Sequence, residues 1–590
     1  MRTSASSSTP SVPMGGTSLT DDVVRNADLL PLRVGFHRKL NGEWRDVTWS
    51  EFRDEVKVIA RCLVAAGLET GERVGLVCGT RYEWTMLDYA IWWAGGVVVP
   101  VYPTWPTAQI HRVLRECGTA ACFVDNAAQR ATLDQQRSEL PELRYVWCID
   151  ELEECVDDAV PADVLEERRR AARPSSPATI VYTPGTTGQP KGCLLSHGNL
   201  MHEITVVTQA LDELFGRGDA ATVLFLPLAH IDTRIIELSC VRAGARLGHC
   251  SDPFDLAGAM VAIRPTFLLT TPRVLQAAYT DASSRAHSTG RARLFTAAAE
   301  TAIRYSRALD VDGPGRLLRA RHAAFGRLVY ARLRAAGGGR IRHVICMSGA
   351  LDERLAHFWR GFGVPVLEGY GLTEASGALT LNRPSDQRKG TVGRPLDGTH
   401  VRIADDGELL VRGPQVFVSY WGSTADASPD DDGWLRTGDL ATIDDDGQLR
   451  VTGRQEELLV TAGGKSVAPT VLEDRVRAHP LVSQCLVVGD GKPFVAALVT
   501  VDLVALRTWA SEHNKFARTA QLLEDPQLRD AVQSAVDDAN TLVSQAESIR
   551  AFRLLRHDWT EREGHLTPTQ TLKRPALLRD LRDEIRSLYP

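Results

Sequence analysis

Short apolar segments alternate with amphipathic stretches along most of this chain. Eight of them predict β-strands, because each is a nearly continuous apolar run bounded by turn-forming residues: RVGLVC, VVVPVY, AACFVD, TIVYT, TVLFLPL, FLLTTP, RHVICMSG and PVLEGYG. Strands that are apolar on both faces need helices on both sides of their sheet. The pattern therefore predicts an α/β protein. Because 590 residues are too many for one hydrophobic core, we expect at least two domains.

Composition indicates a globular protein and argues against several classes. Hydrophobic residues make up 44% of the chain and charged residues 24%, and the net charge of −6 lacks the basic excess of a nucleic-acid-binding protein. The 11 cysteines form no C-x-x-C pair, which argues against a zinc site or a disulfide framework. We therefore expect a reducing, cytoplasmic location and no nucleic acid partner.

Changes of composition along the chain predict its domain limits. Residues 1–18 are rich in Ser, Thr, Pro and Gly, which predicts a disordered tail. The longest apolar run, residues 84–101, is interrupted by an aspartate and a glycine pair, so it predicts a buried helix and a buried strand rather than a membrane span. After Gly453 the chain becomes polar and charged. We place a boundary there, between an N-terminal domain at 19–453 and a C-terminal domain at 454–590.

The segment YTPGTTGQPKG at residues 182–192 predicts a phosphate-binding loop. Glycines let successive backbone N–H groups face one anion, threonine hydroxyls add donors, and the lysine adds charge. A Walker loop would have a hydroxyl residue after the lysine, and Gly192 stands there instead. Read alone, the segment could also be an ordinary Gly/Pro turn after a strand. Its candidate phosphate ligands are Thr183, Gly185, Thr186, Thr187, Gly188 and Lys191.

Further glycine-rich blocks follow downstream: LEGYGLTEASG at 367–377, GTVGRPL at 390–396, GWLRTGDL at 433–440 and the pair Gly453 and Arg454. In this order, the blocks resemble those of the adenylate-forming superfamily, which includes acyl-CoA synthetases, acyl-AMP ligases, luciferases and peptide-synthetase adenylation domains. Long-chain fatty acyl-CoA synthetases are the most similar. The resemblance implies a large N-terminal domain of helix-covered sheets and a small, mobile α+β C-terminal domain. It also implies a helical insertion at about 283–342.

The resemblance assigns the nucleotide to particular residues. The loop at 182–192 would bind the β- and γ-phosphates of ATP, and Asp439 would accept hydrogen bonds from the ribose hydroxyls. Glu374 would bind magnesium, since oxygen ligands suit a hard cation. The remaining assignments are Ser348, Gly349 and Ala350 as the adenine wall, Tyr370 and Gly371 at the adenine, Thr373 at the phosphates, Thr187 at magnesium, and Arg454 at the ribose.

The resemblance also implies a domain rotation between two half-reactions. Glu456 occupies the hinge position of the family, where Asp or Lys is usual. Rotation about it would carry the loop Gly463, Gly464 and Lys465 toward the thiol. His230 matches a position that borders the carboxylate pocket, although a single histidine after an apolar strand can equally be structural.

Two positions depart from the family pattern. Pro184 stands where serine is common, and it lacks both a hydroxyl and a backbone N–H, which predicts weaker ATP binding or slower adenylation. The family motif TPTxK, followed by KR, has a lysine that bridges the acyl carboxylate and the α-phosphate. This chain reads LTPTQTLKRP at 566–575, so Thr571 takes that place unless a two-residue shift brings in Lys573. We favour Lys573 as the catalytic lysine.

These features predict an acid–thiol ligase: an ATP- and magnesium-dependent fatty acyl-CoA synthetase that forms an acyl adenylate and transfers the acyl group to CoA. The fatty acid, ATP and CoA are the expected partners. One alternative is an acyl-AMP ligase that loads an acyl carrier protein. The other is a degenerate adenylate-binding protein, for which Pro184 and Thr571 are the evidence. An arginine-rich face in the insertion could contact anionic lipid, so membrane contact would be peripheral at most.

Overall fold

The structure is a computed structural model that describes residues 3–6, 16–154, 160–183, 190–422, 429–567 and 570–589. Each of the eight apolar segments contains a strand, so the predicted α/β class is confirmed. The longest apolar run forms a buried helix followed by a buried strand, as expected. In the described part of the chain, no helix is both long enough and apolar enough to cross a membrane.

The largest sheet has seven strands in the order β19-β9-β8-β5-β4-β6-β7. Strands β8 to β7 in that order run parallel, whereas β9 and β19 are antiparallel to their neighbours. The bounds are β4 Arg73–Val77, β5 Val97–Val101, β6 Thr119–Val124, β7 Tyr145–Cys148, β8 Pro177–Thr183, β9 Lys191–Ser196 and β19 Ser419–Tyr420. The candidate phosphate loop therefore connects β8 to β9, which lie side by side.

Two smaller sheets complete the helix-covered body. One has the order β10-β11-β2-β3 and the other β12-β13-β14-β15-β16. Their strands are β2 Val34–Leu40, β3 Glu43–Thr48, β10 Ala221–Leu224, β11 Arg246–His249, β12 Phe267–Thr270, β13 His343–Cys346, β14 Val366–Leu372, β15 Gly377–Leu381 and β16 Arg394–Pro395. In the second sheet β12, β13 and β14 are parallel, so their carboxyl ends meet at one edge.

Helices cover these sheets and fill the space between them. They are α1 Thr20–Leu29, α2 Trp49–Ala65, α3 Tyr82–Trp93, α4 Thr107–Cys117, α5 Ala127–Gln135, α6 Ala162–Ala171, α7 His197–Ala210, α8 Asp212–Phe215, α9 Ile231–Ala243, α10 Leu256–Ile263, α11 Pro272–Ser288, α12 Ala292–Leu309, α13 Arg316–Phe325, α14 Ala331–Ala336 and α15 Glu353–Phe362. Every residue of α3 is buried, which places this apolar helix inside the core. Helices α11 to α14 occupy most of the predicted insertion.

An antiparallel sheet follows, in the order β1-β17-β18-β20-β21. Its strands are β1 Ser4–Ser6, β17 His400–Ile403, β18 Glu408–Arg412, β20 Leu435–Ile443 and β21 Leu449–Arg454. The predicted disordered tail is wrong for β1, which pairs with β17, and for Ser18, which is buried. Composition could not reveal this pairing, because the backbone of any polar segment can extend a sheet edge.

The C-terminal elements form a smaller α+β unit with its own core. They are β22 Leu459–Val460, β23 Ser466–Val467, α16 Pro469–Arg477, β24 Val482–Val488, β25 Val495–Val501, α17 Leu503–Glu512, α18 Thr519–Leu522, α19 Pro526–Asn540, β26 Ile549–Leu555, α20 Arg574–Asp580 and α21 Arg582–Arg586. Side-chain contacts across the two units hold this unit against the N-terminal body. Among them, Thr104 Oγ1 donates to Glu561 Oε1 at 2.6 Å, and Arg475 Nη1 lies 3.0 Å from Asp352 Oδ2.

Candidate active site

The buried carboxylate of Asp439 lies at the centre of a polar cluster whose arginine reaches the surface. The register of β20 and β21 pairs it with Arg454, whose Nε lies 2.9 Å from Asp439 Oδ1. The hydroxyl of Tyr370 donates to Asp439 Oδ2 at 2.6 Å. Burial raises the pKa of the Asp439 carboxyl, and the charge of Arg454 opposes that shift. The sequence assignments to the nucleotide therefore converge on one carboxylate.

Both oxygens of Asp439 keep the capacity to accept further hydrogen bonds, since each carboxylate oxygen has two lone-pair directions. Gly438 before it has a left-handed backbone at φ +72, and a side chain added there would meet nothing within 4 Å. The backbone beside the carboxylate is thus open to a ligand, whereas the Asp439 side chain itself is buried and could bind a diol through its remaining lone pairs. Gly371, next to Tyr370, is required for a different reason, because an added Cβ would lie 2.0 Å from the carbonyl oxygen of Gly377.

A second cluster surrounds Glu374. The Tyr420 hydroxyl donates to Glu374 Oε1 at 2.7 Å, and Lys191 Nζ lies 5.2 Å from the centre of the Tyr420 ring. The short strand β19 brings Tyr420 here, because it pairs with β9 directly after Lys191. Thr183 is opposite Lys191 in the β8–β9 pairing, so both ends of the candidate phosphate loop are fixed. The remaining predicted ligands of the loop, Gly185, Thr186, Thr187 and Gly188, lie outside the described residues, as does Pro184.

Glu374 fits a magnesium ion as far as its donor chemistry is concerned. It lies with Thr373 on a single turn of 3-10 helix, and the buried Cys193 thiol also lies within hydrogen-bond reach of its carboxylate. Carboxylate and hydroxyl oxygens are the ligands that magnesium prefers. In the described ranges, no group of three or more His, Cys, Asp or Glu side chains could hold a metal ion alone. A cation here would therefore need ligands from a bound phosphate.

His230 belongs to a chain of hydrogen bonds that sequence reasoning did not predict. It is the residue before α9, where its Nδ1 accepts the backbone N–H of Asp232 at 3.3 Å. Ser348 Oγ in turn donates to Asp232 Oδ2 at 2.8 Å. His230 thus lies close to the candidate adenine wall, and Asp232 connects the two.

Ser348, Gly349 and Ala350 are exposed to a cavity of about 290 Å³ between the N-terminal body and the C-terminal unit. They follow β13, at the edge where the parallel strands of that sheet end. Ser348 has a left-handed backbone at φ 64, a conformation that few non-glycine residues adopt. The segment therefore bends sharply across the end of the sheet, which leaves its backbone accessible.

The C-terminal unit contributes its turn at residues 570–573 to this cavity. Gln570, Thr571 and Leu572 line it, whereas Lys573 is absent from the lining formed by the described residues. The backbone N–H of Lys573 donates to the His565 carbonyl at 2.8 Å, just before α20. Thr571 takes the family's lysine position when the motif is aligned without a gap, and in this arrangement it is Thr571 that lines the cavity. The role of Lys573 stays a prediction.

The other C-terminal assignments lie apart from the cavity. Gly463, Gly464 and Lys465 are exposed, and Lys465 Nζ pairs with Glu547 at 3.2 Å within the C-terminal unit. Glu456, the predicted hinge, is exposed in a 3-10 turn directly after β21. Its neighbour Glu457 lines the cavity. The chain thus passes from the Asp439 cluster to the C-terminal unit within a few residues.

Three residues of this region escaped the sequence analysis as site residues: Tyr420, Asp232 and Arg273. Tyr420 gave no signal, because the segment VSYWG resembles an ordinary strand. Asp232 follows the candidate His230 by two residues, and a carboxylate at that spacing could have been considered. Arg273 lies in the segment TTPRVLQ at residues 270–276, and only the structure places it at the cavity.

The AMP-binding enzyme family matches residues 25–421, and the AMP-binding enzyme C-terminal domain matches residues 456–590. Over 570 residues the chain is 42% identical to the long-chain-fatty-acid–CoA ligase FadD15 of Mycobacterium bovis, which covers 95% of each protein.

Solved structures share the fold. The A-PCP didomain of carboxylic acid reductase from Segniliparus rugosus, in complex with AMP, has a TM-score of 0.73 at 19% identity and covers 97% of this chain and 82% of that one. The o-succinylbenzoate CoA synthetase of Bacillus subtilis, in complex with ATP and a magnesium ion, has a TM-score of 0.67 at 19% identity, with 94% and 98% covered.

Proposed function

The chain belongs to the AMP-binding enzyme family, and from that premise we propose that it is a fatty acyl-CoA synthetase. Its substrates are a medium- to long-chain fatty acid, ATP with magnesium, and CoA. The relative that shares 42% of its residues over nearly the whole chain carries a long-chain-fatty-acid–CoA ligase name, which supports the acid and the acceptor.

The observation that carries the proposal is the convergence of the Asp439 and Glu374 clusters on β14 and the turn that follows it. Tyr370 and Glu374 are four residues apart, and each contacts one cluster. One carboxylate is suited to a diol, and the other to a hard cation beside a lysine. A nucleotide that spans the two clusters with ribose at one and phosphates at the other fits this spacing.

The reaction has two steps. In adenylation a carboxylate oxygen attacks the α-phosphorus of ATP, the bond from that phosphorus to the bridging oxygen breaks, and pyrophosphate leaves with the electron pair. In the second step the CoA thiolate attacks the acyl carbonyl carbon, the bond to the phosphate oxygen breaks, and AMP leaves. The thiol proton passes to solvent. Both steps gather negative charge that the site must neutralise.

The residues divide this work. Asp439 and Arg454 hold the ribose, Tyr370 the adenine, and Lys191 with Thr183 the phosphates. Bound magnesium would neutralise phosphate charge, with Glu374 and Thr187 as its protein ligands and Thr373 at the phosphates. His230 borders the carboxylate pocket through its contact with Asp232. The C-terminal unit rotates about Glu456 between the steps, exchanging Lys573 for the loop at Lys465.

A peripheral membrane contact fits the arginine-rich insertion. Residues 283–342 contain thirteen arginines and three acidic residues, against a net charge of −6 for the whole chain. No residue of α13 is buried, Leu317 on it is 84% exposed, and nearby Val311 is 79% exposed. Basic and apolar side chains together favour an anionic lipid surface. Long-chain acids partition into such a surface, so the contact would supply substrate.

The catalytic proposal is tested by pyrophosphate release from purified protein with ATP, magnesium and fatty acids of 8 to 18 carbons, with and without CoA. We expect release with at least one acid, and acyl-CoA when CoA is added. Pyrophosphate with no acyl-CoA would instead indicate an acyl-AMP ligase that needs a carrier protein. No pyrophosphate with any acid would leave only a degenerate adenylate-binding protein.

The membrane contact is tested by cosedimentation with vesicles of phosphatidylglycerol and with vesicles of phosphatidylcholine alone. We expect binding to the anionic vesicles, and at least tenfold weaker binding after Leu317→Asp. Equal binding of that variant and the wild type would contradict the assignment to α13. Retained adenylation in solution controls for folding.

A further inference from the structure

We propose that Arg273 supplies positive charge to the reacting groups during adenylation, a role that rests on the proposed function. Arg273 is in the first turn of α11 and lines the cavity between the N-terminal body and the C-terminal unit. Gly349 lines the same cavity, and a Cβ added there would lie 3.5 Å from Pro272, the residue before Arg273. The arginine therefore stands beside the segment proposed to hold adenine.

Three arginines line the cavity, and two of them are paired. Arg477 forms an ion pair with Asp474. Arg574 forms one with Glu473. Among the residues that the structure describes, no carboxylate lies within ion-pair distance of Arg273. It is the cavity arginine without an ion pair among these residues, although the charges of Asp558 and Asp502 act on its pKa from a longer distance.

Of the five carboxylates that line the cavity, Glu457, Glu473 and Asp474 pair with Arg574 or Arg477. Asp352 pairs with Arg475 at 3.0 Å, and Asp502 accepts two backbone N–H groups at the start of α17. Burial lowers the pKa of the Arg273 guanidinium, the direction expected for a cation without a carboxylate partner. The lining as a whole carries five carboxylates and three arginines, so an anionic ligand would bind at the guanidinium of Arg273, which forms no ion pair with the described residues.

A neutral partner holds the side chain in place. Arg273 Nη1 donates to Gln570 Oε1 at 2.6 Å, across the two units. Gln570 has a left-handed backbone at φ 68, a conformation that is rare outside glycine and asparagine. Thr571 follows it and also lines the cavity. The turn thus brings Arg273 next to the position that holds a lysine in relatives.

Adenylation requires a cation at the place where Arg273 lies. In adenylation a carboxylate attacks a phosphate, so two anions must approach and positive charge must bridge them. A planar guanidinium can donate to both through parallel N–H groups. Because Gln570 is neutral, substrate oxygens could replace it without exposing a charge. Lys573, which lies outside the cavity lining in this arrangement, would act together with Arg273 only after the turn moves.

The decisive experiment compares Arg273→Ala with Gln570→Ala in the two half-reactions. Adenylation is followed by pyrophosphate release with palmitate and ATP, and the second step by acyl-CoA formation from supplied palmitoyl adenylate and CoA. We expect Arg273→Ala to lower kcat/KM for adenylation about 100-fold and to leave the second step within about threefold. Gln570→Ala removes the contact between the units but keeps the charge, and should lose less than about threefold.

The other possible outcomes for these two variants each contradict a different part of the proposal. Equal losses for both variants would mean that Arg273 only links the two units. A loss confined to the second step would assign it to CoA. An active wild type with an unaffected Arg273→Ala variant would refute the Arg273 role alone, whereas an inactive wild type would refute the proposed function and this role with it.

A second variant tests the position of the charge. Thr571→Lys in the Arg273→Ala background places an ammonium on the same cavity wall, and we expect it to restore adenylation about tenfold. Failure of this rescue, with the second step intact, would contradict the idea that both residues face the same anion. Retention of the second step in every variant shows that the protein is folded.

Discussion

The Asp439 cluster and the turn at residues 570–573 serve the same proposed reaction, but they are held in different ways. Asp439 and Arg454 face each other because the backbone ladder of β20 and β21 fixes their register. The turn is attached to the cavity through side chains, above all the hydrogen bond from Arg273 to Gln570. A ladder has one register, whereas a turn between two units can move with one of them. Substitutions in the Asp439 cluster should therefore impair the reaction strongly, whereas substitutions in the turn should affect only one half-reaction.

The largest effect is expected for Asp439→Ala. The change removes the ribose acceptor and leaves the buried hydroxyl of Tyr370 and the guanidinium of Arg454 without their partner. Two hydrogen bonds from the ribose hydroxyls to a carboxylate are worth about 1.5 to 3 kcal/mol each, so kcat/KM for ATP should fall on the order of 10²- to 10³-fold. Steady-state pyrophosphate release measures it, with the exposed Asp431→Ala as control. A loss below about tenfold would show that the cluster does not bind the nucleotide.

Lys573→Ala examines the mobile half of the comparison. If the turn brings Lys573 to the reacting groups, adenylation should fall about 100-fold, because a charge is lost in the transition state. The second step from supplied acyl adenylate should stay unchanged, since the C-terminal unit has rotated by then. A wild-type adenylation rate in this variant would leave the charge to Arg273 alone.

The folding of the large domain should depend on pH through His197. Burial lowers its pKa to about 4 in the folded protein, against 6.5 for an ordinary histidine. Between pH 6.5 and pH 4 the unfolded chain therefore binds the proton and the folded one does not, so stability falls as pH falls. At pH 5 this one group costs about 2 kcal/mol relative to pH 8.

Urea unfolding of the wild type and of His197→Asn at pH 5 and pH 8 measures this contribution. Only the difference in the free energy of unfolding between the two pH values is compared, so the direct cost of the substitution cancels. In His197→Asn the change in the free energy of unfolding between pH 8 and pH 5 should be about 2 kcal/mol smaller than in the wild type. In His557→Asn, at an exposed histidine, that change should equal the wild-type value. An unchanged pH difference in His197→Asn would mean that His197 is protonated in the folded state.

The smallest effect is expected at Glu374. Glu374→Gln keeps an acceptor for the Tyr420 hydroxyl but removes the charge, so the magnesium concentration for half-maximal adenylation should rise about tenfold. Tyr420→Phe keeps the ring beside Lys191 and removes only the hydroxyl, so we expect the magnesium concentration for half-maximal adenylation to rise about threefold. A larger loss in Tyr420→Phe than in Glu374→Gln would reverse the assignment of the metal to the carboxylate.

Much of the fold followed from the sequence, because buried strands must be apolar. All eight predicted strands are present, and the apolar run at 84–101 divides into helix and strand as expected. The edge strand Ser4–Ser6 was missed, since a short polar segment pairs through its backbone and leaves no trace in composition. The contacts of Tyr420 and Asp232 were missed for a related reason, as each depends on which strands and helices become neighbours.

The sequence by itself determined the α/β class and the residue types that can hold a nucleotide, because glycine spacing, charge and apolar runs are local properties. Only the tertiary structure decided that Tyr370 and Arg454 share the Asp439 carboxylate, and that Thr571 rather than Lys573 lines the cavity. Strand register and the packing of one unit against another bring together residues that are distant in sequence. Such contacts arise from the whole chain, so no single segment encodes them.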